Sequence, residues 1–72
     1  MNRMPINQDE AINIARRLAA EKGYTDLPGD PEVQCRGDEY TVIFNPQMRG
    51  GNQIVRLALS DGEIRSFHAT PL

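Results

Sequence analysis

The residue types that most often carry chemistry are sparse in this sequence, which contains one histidine, His68, and one cysteine, Cys35. A cysteine thiolate beside a histidine base can act as a nucleophile, but the strand pairing predicted below does not bring the two together. Cys35 alternates with apolar residues, which predicts a buried structural thiol. His68 is expected at the rim or surface of the fold, without a chemical role. We therefore predict that the protein is not an enzyme.

Carboxylates are the second candidate for chemistry, because they bind metal ions. Their spacing matches no calcium-binding loop, and the sequence has no Cys and His set with zinc-ligand spacing. We predict no metal site and no cofactor. The loop acids considered are Asp26, Asp30, Glu32, Asp38 and Glu39.

The segment Arg49-Gly50-Gly51 is a candidate anion site, since successive backbone amides can form an anion-binding nest. It lacks the lysine and the following helix of a phosphate-binding loop. A plain flexible loop is the alternative interpretation, and the sequence leaves both open.

Charge and hydropathy exclude two classes of partner. The 72 residues carry a formal net charge of −2, and the cations are scattered, so there is no basic stripe for nucleic acid. No stretch approaches the roughly 18 to 20 apolar residues of a membrane span. The first ten residues contain no apolar run typical of a signal peptide, and a single cysteine fits a reducing compartment. We expect a cytoplasmic protein, although a processed secreted domain would look the same.

Residues 7 to 23 are predicted to form a helix. Asn7 is a suitable N-cap, with Glu10 three residues later in a capping-box position. Ala11, Ile14, Ala15 and Leu18 recur at helical spacing. Gly23 supplies the left-handed position that ends many helices, and the loop from Thr25 to Pro31 follows.

Two β-hairpins follow the helix. Gly37-Asp38 has the glycine position of a type II′ turn, and pairing outward from it sets Arg36 opposite Glu39 and Val33 opposite Val42. Asp61-Gly62 is the signal for a two-residue type I′ turn. Pairing outward from it sets the following residues opposite one another: Leu59 and Ile64, Leu57 and Ser66, Val55 and His68. The glycine-rich link from Pro46 to Asn52 is expected to be mobile.

The predicted assembly is a single α+β domain spanning residues 1–72, with one helix packed on a four-stranded antiparallel β-meander in the order α-β-β-β-β. The helix is expected to cover the more apolar face of the sheet, formed by Val33, Cys35, Tyr40, Val42, Phe44, Val55, Leu57, Leu59 and Ile64. Nothing then covers the other face, where an apolar patch rimmed by arginine is typical of a protein interface. Alternatively, Phe67 packs over Ile54 and the stems of the arginines. The proposed partner-binding residues are Ile43, Ile54, Arg56, Arg65 and Phe67.

The helix from Asn7 to Ala15 resembles the opening of PepSY domains, in which an acidic cap precedes an alanine-rich helix. The segments Asp38–Val42 and Val55–Ile64 are similar to the first clear strand and to the closing strand, turn and strand of that family. Some small bacterial immunity proteins also pair a Gly-Gly loop with a later Asp-Gly-Glu turn. Both likenesses imply binding rather than catalysis, and the PepSY likeness implies peptidase inhibition.

These observations predict a non-enzymatic protein-binding or regulatory module. It would act through the outer face of its sheet or by pairing of an edge strand, on a protein partner or on a second copy in a homodimer. The alternatives are an accessory subunit of a larger assembly, or a small-ligand-binding protein with a site between helix and sheet. The ligand site would have to use His68, Cys35, Tyr24 and Tyr40.

Overall fold

A computed structural model of the chain describes residues 5–25, 30–47 and 49–71. One helix is followed by four antiparallel strands, which lie in the sheet in the order in which they occur along the chain. This is the predicted α+β fold, a helix on a β-meander. The loop expected from Thr25 to Pro31 falls largely outside the described residues. The elements are α1 (Gln8–Glu21), β1 (Glu32–Arg36), β2 (Glu39–Phe44), β3 (Gln53–Ala58) and β4 (Ile64–Ala69).

Both ends of α1 are capped as the sequence predicts. The side chain of Asn7 accepts a hydrogen bond of 2.9 Å from the backbone N–H of Glu10, which satisfies an N–H that the helix itself cannot. At the other end Gly23 has φ of 97°, and the N–H of Tyr24 bonds to the carbonyl of Ala19 at 2.9 Å. This is the Schellman arrangement, in which a left-handed residue lets the chain turn back on the last helical carbonyls.

The first hairpin forms in the predicted register. Arg36 pairs with Glu39 and Val33 pairs with Val42, and Gly37 has φ of 59°, as the first central residue of a type II′ turn requires. Arg36 and Glu39 lie opposite one another as predicted, while the carboxylate of Glu39 forms its ion pair with Arg65.

The second hairpin forms in a different register, so that prediction was wrong. The N–H of Ala58 bonds to the carbonyl of Glu63 at 2.8 Å, which makes Leu59–Gly62 a four-residue connection rather than a two-residue turn. Val55 pairs with Phe67 instead of His68, and Leu57 pairs with Ile64.

The register shifts by one between Arg56 and Leu57, which makes Arg65 the extra residue of a β-bulge on β4. The four-residue connection and the bulge together displace all three predicted pairs of this hairpin. Phe67, expected on the outer face of the sheet, lies on the helix side, where it packs against the core.

Three alanines of α1 allow the helix to lie close to the sheet. Ala11, Ala15 and Ala19 are fully buried, and the helix packs on the two central strands, β2 and β3. The buried sheet residues beneath it are Tyr40, Val42, Phe44, Val55 and Leu57.

Two residues predicted for this core lie outside it. Cys35 is exposed, and Ile64 is 39% exposed. Both belong to edge strands, β1 and β4, which extend beyond the central strands on which the helix packs. The prediction of a buried structural thiol at Cys35 was therefore wrong.

Candidate functional site

No helix or strand among the described residues packs on the face of the sheet turned away from α1, and we call it the outer face. Strand pairing arranges it in three rows that run across the sheet. Because side chains alternate along each strand, every residue in these rows points away from α1. The rows are Arg36, Glu39 and Ala58; Gln34, Thr41, Arg56 and Ser66; and Glu32, Ile43, Ile54 and His68.

The apolar part of the outer face is smaller than predicted. Ile43 pairs directly with Ile54, and both side chains are half-buried. Phe67 was expected beside them, but the bulge at Arg65 places it on the helix side. The outer face is thus a polar surface around one isoleucine pair.

Arg65 reaches from the second hairpin to the turn of the first. Its guanidinium lies 3.0 Å from a carboxylate oxygen of Asp38 and 3.2 Å from one of Glu39. The hydrogen bonds from Arg65 to Asp38, with the positive charge of the guanidinium, lower the pKa of the Asp38 carboxyl from its usual value. The two carboxylates in turn raise the pKa of Arg65. Arg65 therefore acts mainly within the chain, and its predicted role in partner binding stays a prediction.

A shallow groove of about 340 Å³ runs over the middle of the outer face. Its lining includes the two arginines Arg36 and Arg56, together with Thr41, Ile43 and Ile54. In the part of the chain that the structure describes, neither arginine forms an ion pair. The one acid in the lining, Glu39, is already paired with Arg65. The groove is therefore locally cationic, although the whole chain carries a net charge of −2.

The four residues considered for a ligand site do not converge. Tyr40 is buried and its hydroxyl donates to the carbonyl of Ile6 at 3.2 Å, so it is used in the fold. Tyr24 packs against Phe67, with 6.0 Å between ring centroids. Cys35 and His68 are on opposite edge strands. Over residues 5–25, 30–47 and 49–71, no three His, Cys, Asp or Glu side chains cluster closely enough to hold a metal ion.

One backbone amide of the candidate anion loop, that of Gly51, is used in a contact within the chain. The N–H of Gly51 donates to the carbonyl of Thr70 at 3.2 Å, so this amide is not free for an anion. The side chain of Asn52 donates to the carbonyl of Asn45, and the Thr70 hydroxyl donates to Asn52 Oδ1 at 3.1 Å. These bonds attach the link between the hairpins to the end of β4.

Comparisons of the chain with family models, curated proteins and solved structures find no match. The likeness to PepSY domains therefore stays a prediction. In the described ranges, α1 is not long and apolar enough to cross a membrane.

Sequence reasoning found three members of the outer face, Ile43, Ile54 and Arg56, but missed the groove between them. One half of the groove was predictable from the first hairpin, whose correctly predicted register places Gln34 beside Thr41. The other half depends on the pairing of β2 with β3, which brings Arg56 beside Thr41. No turn sets that register, because a longer link joins these two strands.

Proposed function

We propose that the protein is a non-enzymatic binding module whose outer face holds a segment of a partner protein. The segment would present a carboxylate next to an aliphatic or aromatic side chain. The observation that carries the proposal is the groove, in which an isoleucine pair lies beside an arginine that forms no ion pair among the described residues.

The apolar half of the proposed contact is the pair Ile43 and Ile54. These side chains are half-buried, so a partner side chain laid over them would remove the rest of their surface from water. Burial of apolar area is the main favourable term in most protein association.

The charged half is Arg56, the exposed groove residue that lies on a central strand. A guanidinium binds a carboxylate through paired hydrogen bonds, which gives orientation as well as attraction. Because Arg65 balances the only acid of the groove, an anionic segment meets no opposing free carboxylate there.

Of the five residues predicted for binding, this proposal keeps Ile43, Ile54 and Arg56. Phe67 is dropped, because it packs on the helix side. Peptidase inhibition, which the PepSY likeness implies, would be one use of such a surface and is itself untested.

A display library of random peptides tests the proposal without knowledge of the natural partner. The wild-type protein should enrich sequences that place Asp or Glu beside Leu, Ile or Phe. Amide shifts in the NMR spectrum on addition of an enriched peptide should centre on Thr41, Ile43 and Ile54.

Three variants sharpen this test. Arg56→Glu should replace the preference for acidic peptides with one for basic peptides, and Ile54→Asp should abolish enrichment. Arg17→Glu makes the same charge change on the exposed surface of α1 and should enrich the wild-type sequences. No consensus with the wild type, or a consensus that Arg56→Glu leaves unchanged, would overturn the proposal.

A further inference from the structure

The outer edge of β1 is a row of backbone groups that no described segment pairs with. The sheet order begins with β1, and its neighbour is β2 alone. The other edge strand, β4, carries the bulge at Arg65, a device that discourages pairing between sheets. In its described residues β1 has no bulge and no lysine.

The turn of the first hairpin fixes which groups of β1 point outward. In a two-residue hairpin the residues that flank the turn, Arg36 and Glu39, exchange hydrogen bonds, and bonded pairs then alternate along the strands. Residues 32, 34 and 36 therefore bond to β2. The N–H and C=O groups of Val33 and Cys35 point away from the sheet. A second observation supports this alternation. The N–H of Leu59 bonds to the carbonyl of Asp38 at 2.7 Å, so the even-numbered residues from Asp38 onward bond toward β3. The odd-numbered residues of β2 therefore bond toward β1.

We propose that β1 pairs with β1 of a second copy, antiparallel and centred on Gln34, to give one continuous eight-stranded sheet. In this register Val33 lies opposite Cys35 of the second copy, so the outward backbone groups bond to one another. The two-fold axis repeats the same pair on its other side. The whole of Glu32–Arg36 is then paired.

The charges of β1 select this register. Glu32 lies opposite Arg36 of the second copy, twice by symmetry, and both side chains are on the outer face. These are non-hydrogen-bonded pairs, in which opposite side chains approach most closely. Within the described residues neither Glu32 nor Arg36 has an ion pair of its own. Opposite charges so placed stabilise strand pairing.

The pairing also gives a reason for the exposure of Cys35. This side chain and that of Val33 lie on the helix side of β1 but beyond the two strands on which the helix packs. Each would cover the other across the two-fold axis. The inference shares two groove residues of β1 with the proposed function, Gln34 and Arg36. It leaves Arg56 and the isoleucine pair free, so Arg56→Glu tests peptide binding alone and Glu32→Arg, outside the groove lining, tests dimerisation alone.

Sedimentation equilibrium of the full chain across a wide range of concentration tests the proposal. The wild type should shift from monomer to dimer as concentration rises. Glu32→Arg and Arg36→Glu should each remain monomeric, because each sets like charges opposite one another. An equimolar mixture of the two should form a heterodimer, in which both charge pairs are again opposite in sign.

Three further measurements make the result specific to β1. The double variant with both changes should recover the dimer. Ile54→Asp, on the outer face but not on β1, should dimerise like the wild type even if it fails in peptide binding. In hydrogen exchange, the amides of Val33 and Cys35 should become protected as concentration rises. A wild type that stays monomeric, single variants that still dimerise, or a mixture that does not associate would each overturn the proposal.

Discussion

The guanidinium of Arg65 lies 3.0 Å from the carboxylate of Asp38, so the bulge of the second hairpin binds the turn of the first. The bulge adds one residue to β4 and turns its side chain toward that turn. Asp38 is itself well exposed, with 78% of its side-chain surface accessible. The contact therefore orients side chains on the outer face more than it stabilises the fold.

This contact predicts a pH dependence. The pKa of Asp38 is lowered in the folded state by hydrogen bonds from Arg65 and by its charge. A lowered folded-state pKa gives stability that is fully present above the usual value of 3.8. That stability is lost as pH falls through the lower folded value. Arg65→Gln should return the pKa of Asp38 toward 3.8, as read from the carboxyl carbon in an NMR titration. Arg17→Gln is the control, and an unchanged Asp38 titration in Arg65→Gln would contradict the assignment.

Gly62 should be the least replaceable glycine among those whose surroundings the structure describes. Its φ is 77°, and an added Cβ would lie 2.7 Å from Cδ1 of Ile14 on the helix. Gly62→Ala therefore combines left-handed strain with overpacking, and should lower the free energy of unfolding by about 2–4 kcal/mol. Gly37→Ala has only the strain, since nothing lies within 4 Å of its added Cβ, and should lose about 1–2 kcal/mol.

Chemical denaturation of both glycine variants measures the difference. Ile14→Val removes the atom that the new methyl group would meet, so it should cost less in the Gly62→Ala protein than in the wild type. Equal losses for Gly62→Ala and Gly37→Ala would show that the helix contact is unimportant.

Phe67 and His68 are neighbours in sequence on opposite faces of β4, and they should respond differently to truncation. Phe67 packs against the core and the ring of Tyr24, so Phe67→Ala should lower the free energy of unfolding by roughly 1–2 kcal/mol. His68 is exposed on the outer face, and His68→Ala should change it by less than about 0.5 kcal/mol. Urea unfolding curves measure the free energy of unfolding of both variants. A larger loss for His68→Ala than for Phe67→Ala would support the register predicted from the sequence.

The helix and the first hairpin were predictable because their signals are local. Asn7 and Gly23 mark the ends of α1, and Gly37 sets the turn and with it the register of β1 and β2. Each signal acts over a few residues, so no knowledge of the rest of the fold is needed.

The second hairpin was not predictable by the same means. Gly62 does take a left-handed conformation, but it ends a four-residue connection, and the bulge next to it turns Arg65 toward partners 26 and 27 residues earlier in the chain. Such a distant contact leaves no local pattern. The exposure of Cys35 is likewise a consequence of where the helix lies on the sheet, which strand alternation does not encode. As a result, Phe67 was predicted on the outer face but lies on the helix side. Cys35 was predicted in the core but is exposed on the edge strand β1.

Thr70 should stabilise the link between the hairpins through its hydroxyl. The hydroxyl oxygen accepts from the N–H of Asn52 at 2.9 Å and donates to Asn52 Oδ1 at 3.1 Å. Thr70→Val keeps the shape but leaves that N–H unsatisfied, and should lower the free energy of unfolding by about 1–2 kcal/mol. Amide exchange at Asn52 should become faster.

Thr41→Val is the matched control. Its hydroxyl makes no hydrogen bond to any described residue, so the loss should be below about 0.5 kcal/mol. If the two threonine variants are equally stable and exchange at Asn52 is unchanged, the link does not depend on Thr70.

The first residues of the described chain are joined to its last turn. The N–H of Ile6 bonds to the carbonyl of Leu59 at 2.9 Å, and Gly62 lies against Ile14. In the order of synthesis α1 precedes the second hairpin, which supplies the surface on which the beginning of the helix docks. A 14-residue helix is only marginally stable alone in water. The domain should therefore fold only once the second hairpin has emerged from the exit tunnel, with the helix as the last element to become fixed.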